Sequence, residues 1–128
     1  MIKIIAEIGW NHCGDMQLAK DMAMSAEVKI PSFESRNHEL ISFCDHNFDT
    51  IFMSTGTSTL KEIGDSVKHI RSSDFYLLHC VSSYPCSPSI ANIQRMGILK
   101  ELGFPIGYSD HIQGVESAKV AIGFGATL

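Results

Sequence analysis

Short apolar runs alternate with segments of helical period along this chain, and that alternation leaves few folds open. Buried strands are expected at Ile2–Gly9, Glu27–Ser32, Thr50–Gly56, Phe75–Val81 and Pro105–His111. Each is short, apolar and bounded by turn residues. Between them lie segments with apolar residues three and four apart. Asp15 is a plausible N-cap for Leu18, Ala19, Met22, Ala23 and Ala26. A helix from Asn37 carries Leu40, Ile41, Cys44 and Phe48. Thr59-Leu-Lys-Glu62 has the capping-box pattern and opens a helix with Leu60, Ile63, Val67 and Ile70 inward. Ile90, Ile93, Met96, Leu99 and Leu102 mark another, with Gly103 as its stop. Val115, Ala118 and Ile122 mark the last, and Ala126-Thr-Leu128 starts a further strand. Strand followed by helix, repeated in this way, requires helical crossovers between parallel strands, hence an α/β fold. The unit recurs at roughly 25 residues without recurring in sequence, which argues against a solenoid.

Length and composition set the bounds. The 128 residues suit one modest domain, and 45% hydrophobic against 19% charged residues is a globular balance. Ten Lys and Arg against 14 Asp and Glu give a net charge of -4, with no basic excess to attract nucleic acid or an anionic membrane. Cys13, Cys44, Cys80 and Cys86 lack CxxC spacing, so free thiols in a reducing cytoplasm are expected. The N-terminus has no signal-peptide pattern, and no apolar run is long enough to span a membrane. The passage from Ala26 to Glu27 leaves almost no loop, against the roughly 2–6 residues usual for such connections. Missing pieces are therefore expected near 26/27.

The strand ends share a chemistry. In order they carry Glu7; Lys29 with Ser32 and Glu34; Ser54-Thr55-Gly56; His79 with Ser82 and Tyr84; and Ser109-Asp110-His111. In parallel α/β sheets, chemistry is placed at the carboxyl ends of the strands. Hydroxyls beside a lysine suit an anionic oxygen ligand such as phosphate. Carboxylates near a histidine suit proton transfer or a hard metal ion. Each group also has a plain structural reading. Glu7 and Lys29 can be ion-paired or solvated strand-end charges. Ser54, Thr55 and Gly56 read equally well as a strand-to-helix turn. His79 reads as a satisfied core histidine, Cys80 as a small core residue, and Tyr84 before Pro85 as a turn stiffener. His12 falls in a turn, while His38, His46 and His69 read as surface.

Taken together the motifs resemble the N-acetylneuraminate (sialic acid) synthases. They are Ala6-Glu-Ile-Gly9, Asn11-His12, Gly14-Asp15, Lys29-Ile-Pro-Ser32, Ser54-Thr-Gly56, Leu78-His-Cys80, Ser83-Tyr-Pro85 and Gly107-Tyr-Ser-Asp-His111, in the family's order. The resemblance implies a partial (β/α)8 TIM barrel of about five strands plus a stub. It implies condensation of phosphoenolpyruvate with an N-acetylated mannosamine-type sugar, giving a sialic-type nonulosonic acid and phosphate, with Mn²⁺ or Mg²⁺. Lys29, Ser32, Ser54, Ser82, Tyr84 and Ser109 would bind phosphoenolpyruvate. Glu7 and Glu34 would be catalytic, Glu34 being the better candidate to activate water, and His111 would be a metal ligand. Ser82 stands where some members have asparagine.

The departures are informative too. The family's second and third strands, with a Lys-Phe-Gln segment, would belong at 26/27. A Lys-His-Phe segment with the second metal histidine, and an antifreeze-like domain, have no counterpart in this sequence. An incomplete barrel exposes sheet edges, so homodimerisation or other self-association and little activity alone are expected. Two other functions stay open. One is a non-catalytic remnant that keeps part of the phosphate site. The other is a different phosphoenolpyruvate-condensing barrel, such as 3-deoxy-octulosonate-8-phosphate synthase, against which the Ser-Tyr-Pro and Tyr-Ser-Asp-His stretches speak.

Overall fold

β-branched and aromatic residues concentrate in four short strands: β1 (Glu27–Ile30), β2 (Thr50–Ser54), β3 (Asp74–His79) and β4 (Ile106–Tyr108). These residues suit a pleated, buried surface. The computed structural model describes residues 27–71 and 74–128. The expected strand at 2–9, with Glu7, and the expected helix up to Ala26 lie outside the described residues. The strands form one sheet in the order β1-β2-β3-β4, every pair parallel. Between them run α1 (His38–Asn47), α2 (Leu60–Ser66) and α3 (Arg95–Lys100), and α4 (Glu116–Gly123) follows β4. This is the expected α/β alternation.

The register sorts the side chains into two faces. Ile30, Met53, Leu77 and Ile106 are register partners, and so are Ile51 and Phe75. All six are buried with Ile41, Ile63, Met96 and Leu99 of the helices, so this face is the core. Each fully buried side chain of that size contributes about 1.5–3 kcal/mol. Side chains alternate along a strand, so Lys29, Phe52, Ser54, Tyr76 and Leu78 project from the opposite face, where Gly107 leaves a gap. In a barrel that face is the interior.

The helix ends follow their sequence signals. The Asn37 side chain accepts from the Leu40 N–H at 3.1 Å and starts α1. Thr59 and Glu62 form a complete capping box at α2. Beyond α4, Gly125 adopts φ +94°, its N–H bonds Ile122 O, and the Ala126 N–H bonds Ala121 O at 3.0 Å. That pairing is a Schellman stop.

Three helices differ from expectation: in α2, Leu60 at the first turn is exposed and not inward. The segment from Ile90 is helical only from Arg95. Pro88–Ile90 form a 3-10 turn, and Asn92 takes φ +44°, which interrupts any continuous helix. Ile90 is therefore exposed. In α4 the inward residues are Ser117 and Ala121, while Val115 and Ile122 face solvent. The short helix sits close against β4, and small residues permit that approach. The last residues behave as the anticipated strand start. The Thr127 N–H bonds Ile106 O and the Tyr108 N–H bonds Leu128 O, both at 2.9 Å. Leu128 also fills the space beside Gly107, where a Cβ would lie 2.5 Å from its Cδ1.

Candidate active site

Beyond the carboxyl ends of β1, β2 and β3 the backbone turns out of the sheet, and hydroxyl groups converge. The centre of the convergence is Gly56. A Cβ built there would lie 2.7 Å from Ser82 Oγ, 2.9 Å from Cys80 Sγ and 3.0 Å from Ser32 Oγ. A side chain at this position would fill the cradle that three loops form. The Gly56 N–H donates to Ser32 Oγ at 2.9 Å, and Ser32 Oγ lies 3.1 Å from Cys80 Sγ. The amide occupies one lone pair of Ser32, and its O–H remains available to donate to an incoming acceptor. Ser54 stands on the interior face, 2% exposed, and its hydroxyl has no hydrogen-bond partner among the described residues. A buried hydroxyl without a partner is costly, and it marks a place where an acceptor or donor is wanted.

A second layer of hydroxyls holds the cradle from below. Ser35 Oγ donates to Ser32 O at 2.7 Å and meets Ser58 Oγ at 2.6 Å, while Ser66 Oγ donates to Ser35 O at 2.7 Å. Thr57 Oγ1 donates to Ser32 O at 2.6 Å. Arg95, at the start of α3, reaches across to donate to Thr55 O at 3.2 Å and Ser58 O at 2.6 Å. Sequence reasoning missed Arg95 and the Ser35–Ser58–Ser66 set. The only local signal was serine at positions where an apolar residue would pack equally well.

The β4 end supplies the imidazole. His111 Nδ1 lies 2.7 Å from Val81 O. A carbonyl only accepts, so Nδ1 carries the proton and Nε2 of the neutral ring keeps its lone pair. Tyr84 lies over this ring, with centroids 4.1 Å apart. The Ser109 N–H is tied to His79 O at 2.9 Å. Asp110 fastens the turn by accepting from the Ile112 N–H at 2.9 Å and from Ser117 Oγ. Burial first, and the Asp110 carboxylate second, push the Tyr108 hydroxyl up to about 12, so it stays protonated.

The structure thus brings Ser32 and Ser82 together at Gly56, and Tyr84 together with His111. Lys29 and Ser54 share the interior face, with Lys29 in the layer of Phe52, one layer below Ser54 and Leu78. Glu34 is engaged elsewhere: its Oε2 accepts from Asn37 Nδ2 at 2.9 Å, and no hydrogen bond joins it to the Gly56 cradle. Glu7 lies outside the described residues. His79 is a core histidine as expected, but only half satisfied: its buried Nδ1 has no hydrogen-bond partner among the described residues. It is 1% exposed, on the helix-facing side, with Nε2 2.8 Å from Ala91 O. Cys80 is buried, as expected of a small core residue, but it also lines the cradle.

For a divalent ion, His111 presents the right tautomer, because a ligating imidazole commonly anchors its other nitrogen on a carbonyl. Among the described residues, however, no group of three His, Cys, Asp or Glu could hold a metal. The fit is therefore partial.

A parallel sheet flanked by helices, with a polar cradle at the strands' carboxyl rim, is the architecture of a barrel-type α/β enzyme domain. Residues 12–128 match the model of the NeuB family, and the chain belongs to that family. It is 35% identical over 107 residues to the N,N'-diacetyllegionaminic acid synthase of Legionella pneumophila, covering 77% of this chain and 30% of that protein. It is 34% identical over 107 residues to the N-acetylneuraminate-9-phosphate synthase of Drosophila melanogaster, covering 79% and 28%. The chain thus spans about 30% of the length of the curated relatives it matches. Among solved structures it is similar to the N-acetylneuraminic acid (sialic acid) synthetase of Leptospira borgpetersenii in complex with citrate. The TM-score there is 0.77 at 35% identity, covering 88% of this chain and 40% of that one. The spore coat polysaccharide biosynthesis protein spsE of Bacillus subtilis gives the same TM-score at 23% identity, a likeness of fold alone.

Proposed function

We propose that this chain carries the phosphoenolpyruvate side of a nonulosonic acid synthase site. The observation that carries the reading is the convergence of the Ser32 and Ser82 hydroxyls on the bare Gly56 backbone, with the Ser54 hydroxyl, unpartnered among the described residues, nearby on the interior face. Ser32, Ser54, Ser82 and Tyr84 would donate to phosphate oxygens, and Lys29 would supply charge. Ser109 would contact substrate. In the reaction, C3 of the enol attacks the aldehyde carbon of an N-acetylated mannosamine-type sugar. Water adds to the cation left at C2, and phosphate departs, so that donor, sugar and water become acid and phosphate. Glu7 and Glu34 are the carboxylates assigned to proton transfer. Glu34 must exchange its Asn37 bond to reach a water. A divalent ion on His111 Nε2 would polarise the sugar aldehyde, with its remaining ligands drawn from outside the described residues. On this reading the activity would belong to surface carbohydrate biosynthesis and would work in the cytoplasm, where phosphoenolpyruvate is made.

A second reading, ligand binding without turnover, is favoured by the incomplete metal ligand set among the described residues. Calorimetric titration tests the common part. Phosphoenolpyruvate should bind the purified chain saturably, and Ser54→Ala should weaken it about tenfold, the cost of one hydrogen bond to a charged group. Phosphate release with the sugar and Mn²⁺ then separates the readings. No binding at millimolar donor would sink both.

A further inference from the structure

We propose that Arg95 is a positioning residue that presets the Ser32 hydroxyl as an anion donor, acting through a single peptide unit; this rests on the phosphoenolpyruvate reading above. The unit is Thr55–Gly56. Its carbonyl accepts from Arg95 Nη1 at 3.2 Å, and its N–H donates to Ser32 Oγ at 2.9 Å. In a trans peptide the C=O and N–H point in opposite directions, so the two bonds lie in line across the plane. A cation on the carbonyl end draws electron density toward it and makes the N–H a stronger donor, because hydrogen bonds in series polarise one another. The strengthened amide then holds Ser32 Oγ in its acceptor role. The hydroxyl's remaining contact is Cys80 Sγ at 3.1 Å, a weak partner in either direction, so an arriving anionic oxygen can claim the serine proton.

The second arm fixes the same loop from its far end. Arg95 Nη2 donates to Ser58 O at 2.6 Å, while Ser58 Oγ meets Ser35 Oγ, which in turn bonds Ser32 O. The loop from Thr55 to Ser58 is thereby clamped between α3 and the Ser32 turn. Arg95 forms no ion pair among the described residues. Its half-buried charge is spent on two carbonyls, behind a loop read as holding a phosphate. A lysine could reach one of those carbonyls but lacks the fork that spans both.

The test compares the wild-type chain with Arg95→Gln and Arg95→Lys by ¹H–¹⁵N NMR, with and without phosphoenolpyruvate. In Arg95→Gln the Gly56 amide proton should move upfield and exchange at least tenfold faster. Amides of Ile51–Met53 should stay unchanged, which separates a local effect from unfolding. Phosphoenolpyruvate affinity should fall about tenfold, and Arg95→Lys should recover part of both changes. A Gly56 amide that keeps its shift and exchange rate in Arg95→Gln overturns the proposal, whatever happens to binding. A wild-type chain that does not bind phosphoenolpyruvate overturns the ligand half and the reading beneath it. The Gly56 amide would still decide the clamp.

Discussion

Replacing Gly56 with alanine separates a space requirement from a backbone one. Gly56 does not have the positive φ of Gly103, Gly114 and Gly125, so alanine suits its backbone. Stiffening the unfolded chain would alone gain about 0.4–1 kcal/mol. The added methyl meets Ser82 Oγ at 2.7 Å, Cys80 Sγ at 2.9 Å and Ser32 Oγ at 3.0 Å. The Ser82 hydroxyl is exposed and swings aside at little cost. Cys80 is 2% exposed and Ser32 8%, so they move only by disturbing their neighbours. Overpacking of this kind costs about 1–3 kcal/mol. Displacing Ser32 also weakens its bond from the Gly56 amide, for about 0.5–1.5 kcal/mol more. The net expectation is a loss of about 1–3 kcal/mol, or roughly 5–10 °C in melting temperature for a domain of this size. Phosphoenolpyruvate affinity should fall by more than this modest destabilisation would suggest, because the methyl occupies the cradle itself. Differential scanning calorimetry and donor titration measure the two effects. Gly64→Ala is the control: nothing lies within 4 Å of a Cβ there, inside α2, and a gain of about 0.5–1 kcal/mol is expected. A Gly56→Ala chain that melts and binds as the wild type does would refute the cradle.

Two further predictions concern pH. Burial pushes His79 below the ordinary imidazole range, partly offset by its bond to Ala91 O. A base with a lowered folded pKa is most stabilising above its unfolded value of about 6.5 and loses that contribution as pH falls. Urea titrations between pH 7 and 5 should show falling stability, and His79→Gln, which keeps an N–H for Ala91, should flatten that slope. Glu62 is held down to about 2, first by the Thr59 backbone N–H and then by the Thr59 hydroxyl and Arg36. Its contribution is complete above about pH 4.3 and fades as pH falls toward 2. In Thr59→Ala an NMR titration should find the Glu62 carboxyl raised toward the ordinary range, with a lower melting temperature. An unchanged Glu62 titration would contradict the capping-box geometry.

Periodicity and caps carried the fold a long way. Asn37, Thr59 with Glu62, and Gly103 mark helix ends through local chemistry, so a single sequence reveals them. The inward face of α4 was hidden, because Val115 and Ile122 outrank Ser117 in hydrophobicity. Closeness to β4, a tertiary property, selected the smaller residue. The convergence of Ser32 with Ser82, and of Tyr84 with His111, was legible from motif order and strand-end placement. The engagement of Glu34 with Asn37 was not, since a three-residue local bond leaves no periodic trace. Arg95 was invisible for a similar reason: its partners are carbonyls, and carbonyls carry no sequence.

Gly107 leaves a notch in the interior face that Leu78 and Leu128 close with hydrocarbon. One sector of the site's floor is therefore oily, next to the Ser54 hydroxyl in the same layer. Water finds little to hold it there, so a charge resting above that floor feels the neighbouring dipoles with less dilution than it would in bulk solvent. An alanine at 107 would press on both leucines, its nearest neighbours, and on the function proposed above it would loosen the floor beneath the anion.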